Sequence, residues 1–81
     1  MPKLRILSGH DVVAILEGLG FSVVAQKGSH VKLRRTVEGG TKQSLTIPLH
    51  AEMDKWTLKA IYTQASRYIP ETELREHFYT K

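Results

Sequence analysis

Two alternating runs, separated by four turn-forming residues, constrain the fold of this 81-residue chain more than any other feature. From Ser29 to Val37, apolar Val31, Leu33 and Val37 take one side, and His30, Lys32, Arg34 and Thr36 take the other. From Lys42 to Leu49 the pattern repeats, with Leu45, Ile47 and Leu49 against Ser44, Thr46, Pro48 and His50. Period-two alternation is the mark of a half-buried strand. Glu38-Gly39-Gly40-Thr41 joins the runs, a link that suits an antiparallel hairpin and is far too short for a parallel crossover. Pro48 has no N–H for a ladder and marks a strand end or an edge.

Such a hairpin has one apolar face, which other elements must cover. Phe21–Gln26 (FSVVAQ) is rich in β-formers and bounded by glycines, so it reads as a preceding strand, with Lys27-Gly28 as the turn. Ser8 and Asp11 are spaced as the N-cap and N3 residues of a helix. Val12, Ile15, Leu16 and Leu19 follow at helical spacing, and Gly18 and Gly20 end the run. A second helix is expected from about Asp54, with Leu58, Ile61, Tyr62, Ala65 and Ile69 on one stripe. Pro70 interrupts it and suits the start of a short third helix, ETELREHF. The expected order is α-β-β-β-α plus a C-terminal helix: a two-layer α+β domain over 1–81, with its core over about 8–69 and a helical extension over 70–81.

Strand parity has a chemical consequence. Directly opposed residues of an antiparallel pair share a face. The even-numbered residues therefore share the open face, and these include His30, Lys32, Arg34 and His50. Closing the hairpin around Gly39 puts His30 opposite Pro48; closing it around Gly40 puts it opposite His50. His10 and His77 have no such cationic company, and no role is assigned to them.

The formal charge of +4 is concentrated in the same region. Residues 1–50 carry seven Lys/Arg against three acids, whereas residues 51–81 carry five of each. A local basic field suits a polyanion, either nucleic acid or an acidic protein. There is no cysteine, which excludes disulfides and thiolate metal sites and is compatible with a reducing cytoplasm. The opening MPKLRILSGHDVV lacks a continuous apolar run, so neither a signal peptide nor a membrane span is expected there.

On residues alone, His30 has two readings: a polar surface residue or a proton-transfer group. An imidazole exchanges protons near neutrality, which is what RNA cleavage without a metal requires. Neighbouring Lys27, Lys32 and Arg34 would hold phosphate and stabilise the charged transition state. Gly28 would let backbone approach a phosphate. Ser29 points away from His30 and is expected to make a turn hydrogen bond. A metal is not expected, because His30 and His50 lack a third ligand at suitable spacing. No cofactor is implied. Trp56 is expected in or partly in the core rather than as an exposed stacking or partner surface.

These residues resemble the HicA-type (YcfA-like) mRNA interferase toxins of toxin–antitoxin pairs. The resemblance runs from Ser8 to about Ala65. It includes SG opening the first helix, LEGLGF ending it, QKGSH at 26–30, IPLH at 47–50 and TLKAIYTQA at 57–65. It implies a fold like that of double-stranded-RNA-binding domains and an RNA-cleaving toxin whose catalytic histidine is His30. It also implies a HicB-type antitoxin, expected to be acidic, that covers the active face. His50 is a possible second catalytic group or a structural neighbour of Pro48. Two features depart from the family pattern: Trp56 stands where a glycine is common, and residues 67–81 extend past the usual end. Lys55 and Lys59 alone, offset by Glu52 and Asp54, do not make the lysine cluster of a duplex-binding module. The expected function is a metal-independent endoribonuclease toxin of the cytoplasm. The alternatives are a non-catalytic RNA-binding module and a protein-interaction domain using Trp56, Tyr62 and Tyr68.

Overall fold

The structure selects one of the two registers that the glycines between the alternating runs allow. The computed structural model describes residues 2–80. In it the runs form β2 (His30–Thr36) and β3 (Lys42–Pro48), joined through a 3-10 turn over Glu38–Gly40. Gly39 and Gly40 take φ of +85° and +80°, which residues with a Cβ rarely adopt. The hairpin pairs Thr36 with Lys42 and Leu33 with Leu45, and ends with His30 opposite Pro48. Closure around Gly39 is therefore the one found, and β3 stops at its proline.

β1 (Ser22–Lys27) pairs antiparallel with β2, giving a three-stranded sheet in the order β1-β2-β3. Its pairing shifts between Val23 and Ala25, leaving Val24 as a bulge. Every residue of β1 is exposed. Its β-forming composition therefore reflects a twisted edge strand rather than a core one.

α1 (Gly9–Gly18) begins with the expected capping box. Asp11 N–H donates to Ser8 Oγ at 3.0 Å, and Ser8 N–H donates to an Asp11 carboxylate oxygen at 2.9 Å. Gly20, at φ +98°, turns the chain into Phe21. α2 (Lys55–Ala65) is capped by Asp54, which accepts from the Thr57 N–H. The predicted stripe overshoots this helix: it ends at Ala65, and Ile69 is buried in the following turn. α3 (Glu71–Phe78) follows Pro70, as expected.

One core cluster joins these layers. Val31, Leu33, Leu45 and Ile47 from the sheet meet Val12, Leu16, Leu58, Ile61 and Ala65 from α1 and α2. Leu74 and Phe78 of α3 are fully buried in the same cluster, each worth about 1.5–3 kcal/mol of apolar burial. Tyr62 is buried as well, packed edge-on against Phe78 and Tyr79 and bonded to Glu71 at 3.1 Å. It therefore belongs to the core, not to a partner surface. Residues 3–5 pair with 78–80: Arg5 N–H donates to Phe78 O and Thr80 N–H to Lys3 O. No helix among the described residues is long and apolar enough to cross a membrane.

Candidate active site on the open sheet face

The sites of interest gather at one end of the sheet. Lys27 closes the β1–β2 hairpin opposite His30, with only Gly28 and Ser29 between them. Gly28 takes φ +58° at the first central position, as a type II′ turn requires, and space around it is open. Gln26 holds the turn by donating its side-chain amide to Gly28 O at 3.1 Å. Ser29 contributes its carbonyl rather than its hydroxyl, accepting from Leu49 N–H at 2.6 Å. The turn bond expected of the Ser29 side chain is thus made by Gln26.

Register then lays out the open face. His30 is exposed, with Lys27 on one side and Pro48 on the other. Lys32 lies two residues along β2, about 7 Å away at strand rise, between Ala25 and Thr46. Arg34 follows between Ser22 and Ser44. It is half-buried, and its covered Nε has no hydrogen-bond partner. Lys42 shares the face at the far end, opposite Thr36. The face therefore carries Lys27, Lys32, Arg34 and Lys42 beside one histidine, with no acid among its paired residues.

His50 sits differently. It lies two residues beyond the end of β3, so strand parity no longer fixes its side chain. It is exposed, and its carbonyl accepts from Gly9 N–H at 2.8 Å. Among the described residues neither imidazole makes a side-chain hydrogen bond, and no three His, Asp or Glu side chains gather to hold a metal ion.

Gly9 explains why SG, GSH and PLH occur together. A Cβ there would lie 2.3 Å from Pro48 O and 2.6 Å from Leu49 Cα. Only glycine lets α1 start against the strand exit. The Leu49–Ser29 and Gly9–His50 bonds then tie helix, exit and histidine turn into one knot.

The motifs thus brought together have a counterpart among known families. A family model described as the HicA toxin of bacterial toxin–antitoxin matches residues 9–66. The chain belongs to the HicA toxin family. It is accordingly a toxin of a toxin–antitoxin system, and an antitoxin partner goes with it. No curated protein and no solved structure matches the chain. The matched span of this HicA toxin includes the whole sheet, α1 and α2, but neither α3 nor the segment before Gly9.

Two residues differ from the sequence expectation. Trp56 is 75% exposed, not core. It precedes Leu58 by two residues, about 200° around the helix, so it faces away from the buried stripe. Lys59 Nζ lies 5.5 Å from its ring centroid. Arg35 is the residue that alternation passed over. Its odd parity puts it on the helix-covered face, where its guanidinium donates to Gln43 Oε1, Leu19 O and Tyr68 O at 2.8–3.0 Å. Its guanidinium carbon also lies 4.9 Å from the Phe21 ring centroid. Arg35 is structural, and the signal for it was a charge standing between Leu33 and Val37 in the core register.

Proposed function

We propose that this HicA toxin is a metal-independent endoribonuclease that inhibits translation by cleaving mRNA in the cytoplasm. The observation that carries the reading is the company of His30: an exposed imidazole flanked on one face by Lys27, Lys32 and Arg34. In this reading His30 removes the ribose 2′-OH proton, and the 2′-oxygen attacks the adjacent phosphorus. The P–O5′ bond breaks, leaving a 2′,3′-cyclic phosphate, and the departing 5′-oxygen takes a proton. That second proton comes from His50 or from solvent. Lys27, Lys32 and Arg34 hold the phosphate and offset the charge gained in the transition state. Gly28 and Ser29 shape the turn that presents His30.

The cationic face also suits an acidic HicB-type antitoxin, which would suppress cleavage by covering it. The test is to incubate RNA with the purified protein in EDTA and map the ends produced. New 5′-hydroxyl ends, absent with His30→Ala, are expected. Bound but intact RNA would instead identify a non-catalytic binding module. Lost cleavage in His50→Ala with unchanged unfolding temperature would assign His50 the second proton transfer.

A further inference from the structure

A groove lies away from the open sheet face. It occupies about 530 Å³ between the N-terminal segment and the start of α2. Its lining brings together Lys3, Arg5, Lys55 and Lys59, against two acids, Glu52 and Asp54. Asp54 is already committed to the α2 N-cap. Its floor includes Met53 and Leu58, both buried. Ile6 in the wall is 80% exposed, and Trp56, whose ring lies 5.5 Å from Nζ of the lining residue Lys59, is 75% exposed. These are the two most exposed large apolar side chains among the described residues.

We propose that this groove docks an acidic segment of the antitoxin that inserts an apolar anchor between Ile6 and Trp56. The four cations complement an acidic chain and repel a basic one. The aliphatic lining and a rim tryptophan match the core of a protein interface, where tryptophan is a preferred hot spot. Single-stranded RNA would find cations here too. The Leu4, Ile6, Met53 and Leu58 surface, however, offers an aliphatic seat that suits an apolar side chain better than a phosphate backbone. The groove shares no residue with the face of Lys27, His30, Lys32 and Arg34. Residues 2–6 and Tyr79, which form part of its wall, also lie outside the span matched to the family. The groove therefore gives this chain a contact of its own, by which an antitoxin that covers the open face gains a second hold and is matched to its toxin. The proposal rests on family membership and not on the cleavage reading.

Trp56 is the chain's one tryptophan, so 5-fluorotryptophan labelling yields a single ¹⁹F resonance at the rim. The labelled full chain is titrated with the purified cognate antitoxin and, separately, with a 2′-O-methyl RNA 20-mer that resists cleavage. The antitoxin should shift the resonance, and should do so equally in His30→Ala. Calorimetry should show antitoxin affinity falling at least about tenfold in Trp56→Ala, Ile6→Ser and the Lys55→Glu/Lys59→Glu pair. All three change exposed or half-exposed side chains, so circular dichroism and unfolding temperature should hold. Wild-type affinity in all three variants would overturn the proposal. So would a resonance that the RNA moves and the antitoxin does not, which would make the groove a nucleic-acid site.

Discussion

Arg34 and Arg35 are neighbours in the chain and opposites in the fold. Arg35 lies on the helix-covered face, where it donates to one side-chain and two backbone oxygens and lies over an aromatic ring. Arg34 lies on the open face, and its covered Nε has no partner. The same side chain has every guanidinium nitrogen bonded on one face and is left with an unpartnered nitrogen on the other. One residue of strand parity decides which. The sheet thus divides its cations into a set that holds the protein together and a set free to meet an anion.

That division can be broken or sharpened by substitution. The largest effect is expected on the open face: His30→Ala should lower RNA cleavage by about 10²–10⁴-fold, with the unfolding midpoint unchanged. Wild-type cleavage by that variant would remove the open face from the chemistry. On the covered face, Arg35→Met should cost about 2–4 kcal/mol, because Leu19 O and Tyr68 O lose their donor. Urea unfolding measures it, and the activity of the remaining folded protein should be intact. An Arg35 variant of full stability would show that parity does not sort these cations.

Gly9→Ala probes the knot that joins the two layers. Its Cβ collides with the Pro48–Leu49 backbone, so stability should fall by about 1–3 kcal/mol. Cleavage should fall with it, since the same backbone holds the turn of His30. Lys32→Gln and Arg34→Gln should leave stability within about 0.5 kcal/mol of wild type. Each should weaken RNA binding and flatten its dependence on salt, as measured by filter binding over a salt series.

The smallest effect concerns the helix caps. The Ser8 backbone and hydroxyl bonds hold the Asp11 carboxyl below its ordinary value, and the Thr57 side-chain and backbone bonds do the same for Asp54. A depressed carboxyl contributes stability that is complete above its unfolded value, about pH 4, and is lost as pH falls through the lower folded value. Helicity followed by circular dichroism on acidification should decline less steeply in Asp11→Asn than in wild type. An identical acid limb would remove this cap from the pH response.

The alternation made β2, β3 and the face of His30 legible before any coordinates, because both runs pair hydrophobic and polar residues at period two. The register was not legible. Gly39 and Gly40 both tolerate positive φ, so composition gave two closures and only the pairing selected His30 opposite Pro48. Arg35 was missed because a half-buried cation on the covered face breaks the alternation it belongs to. Trp56 was misplaced because size and apolarity suggested burial, while its angle on α2 points to solvent. The groove was invisible for a different reason. Its wall comes from residues at both ends of the chain, and no local pattern reports a contact between residues 3 and 80.

That pairing of distant residues also orders events in time. The β2–β3 hairpin closes over a handful of residues, whereas joining Lys3 to Thr80 closes a loop of nearly the whole chain. Loop-closure entropy makes the local hairpin the early step and the terminal pairing a late one. The same terminal pair is tied mainly by backbone bonds at the surface, so its amides should exchange with solvent soonest, ahead of those in β2. A groove walled by this segment would then open and close without the sheet unfolding, so the proposed antitoxin groove and the proposed cleavage face would run on separate clocks.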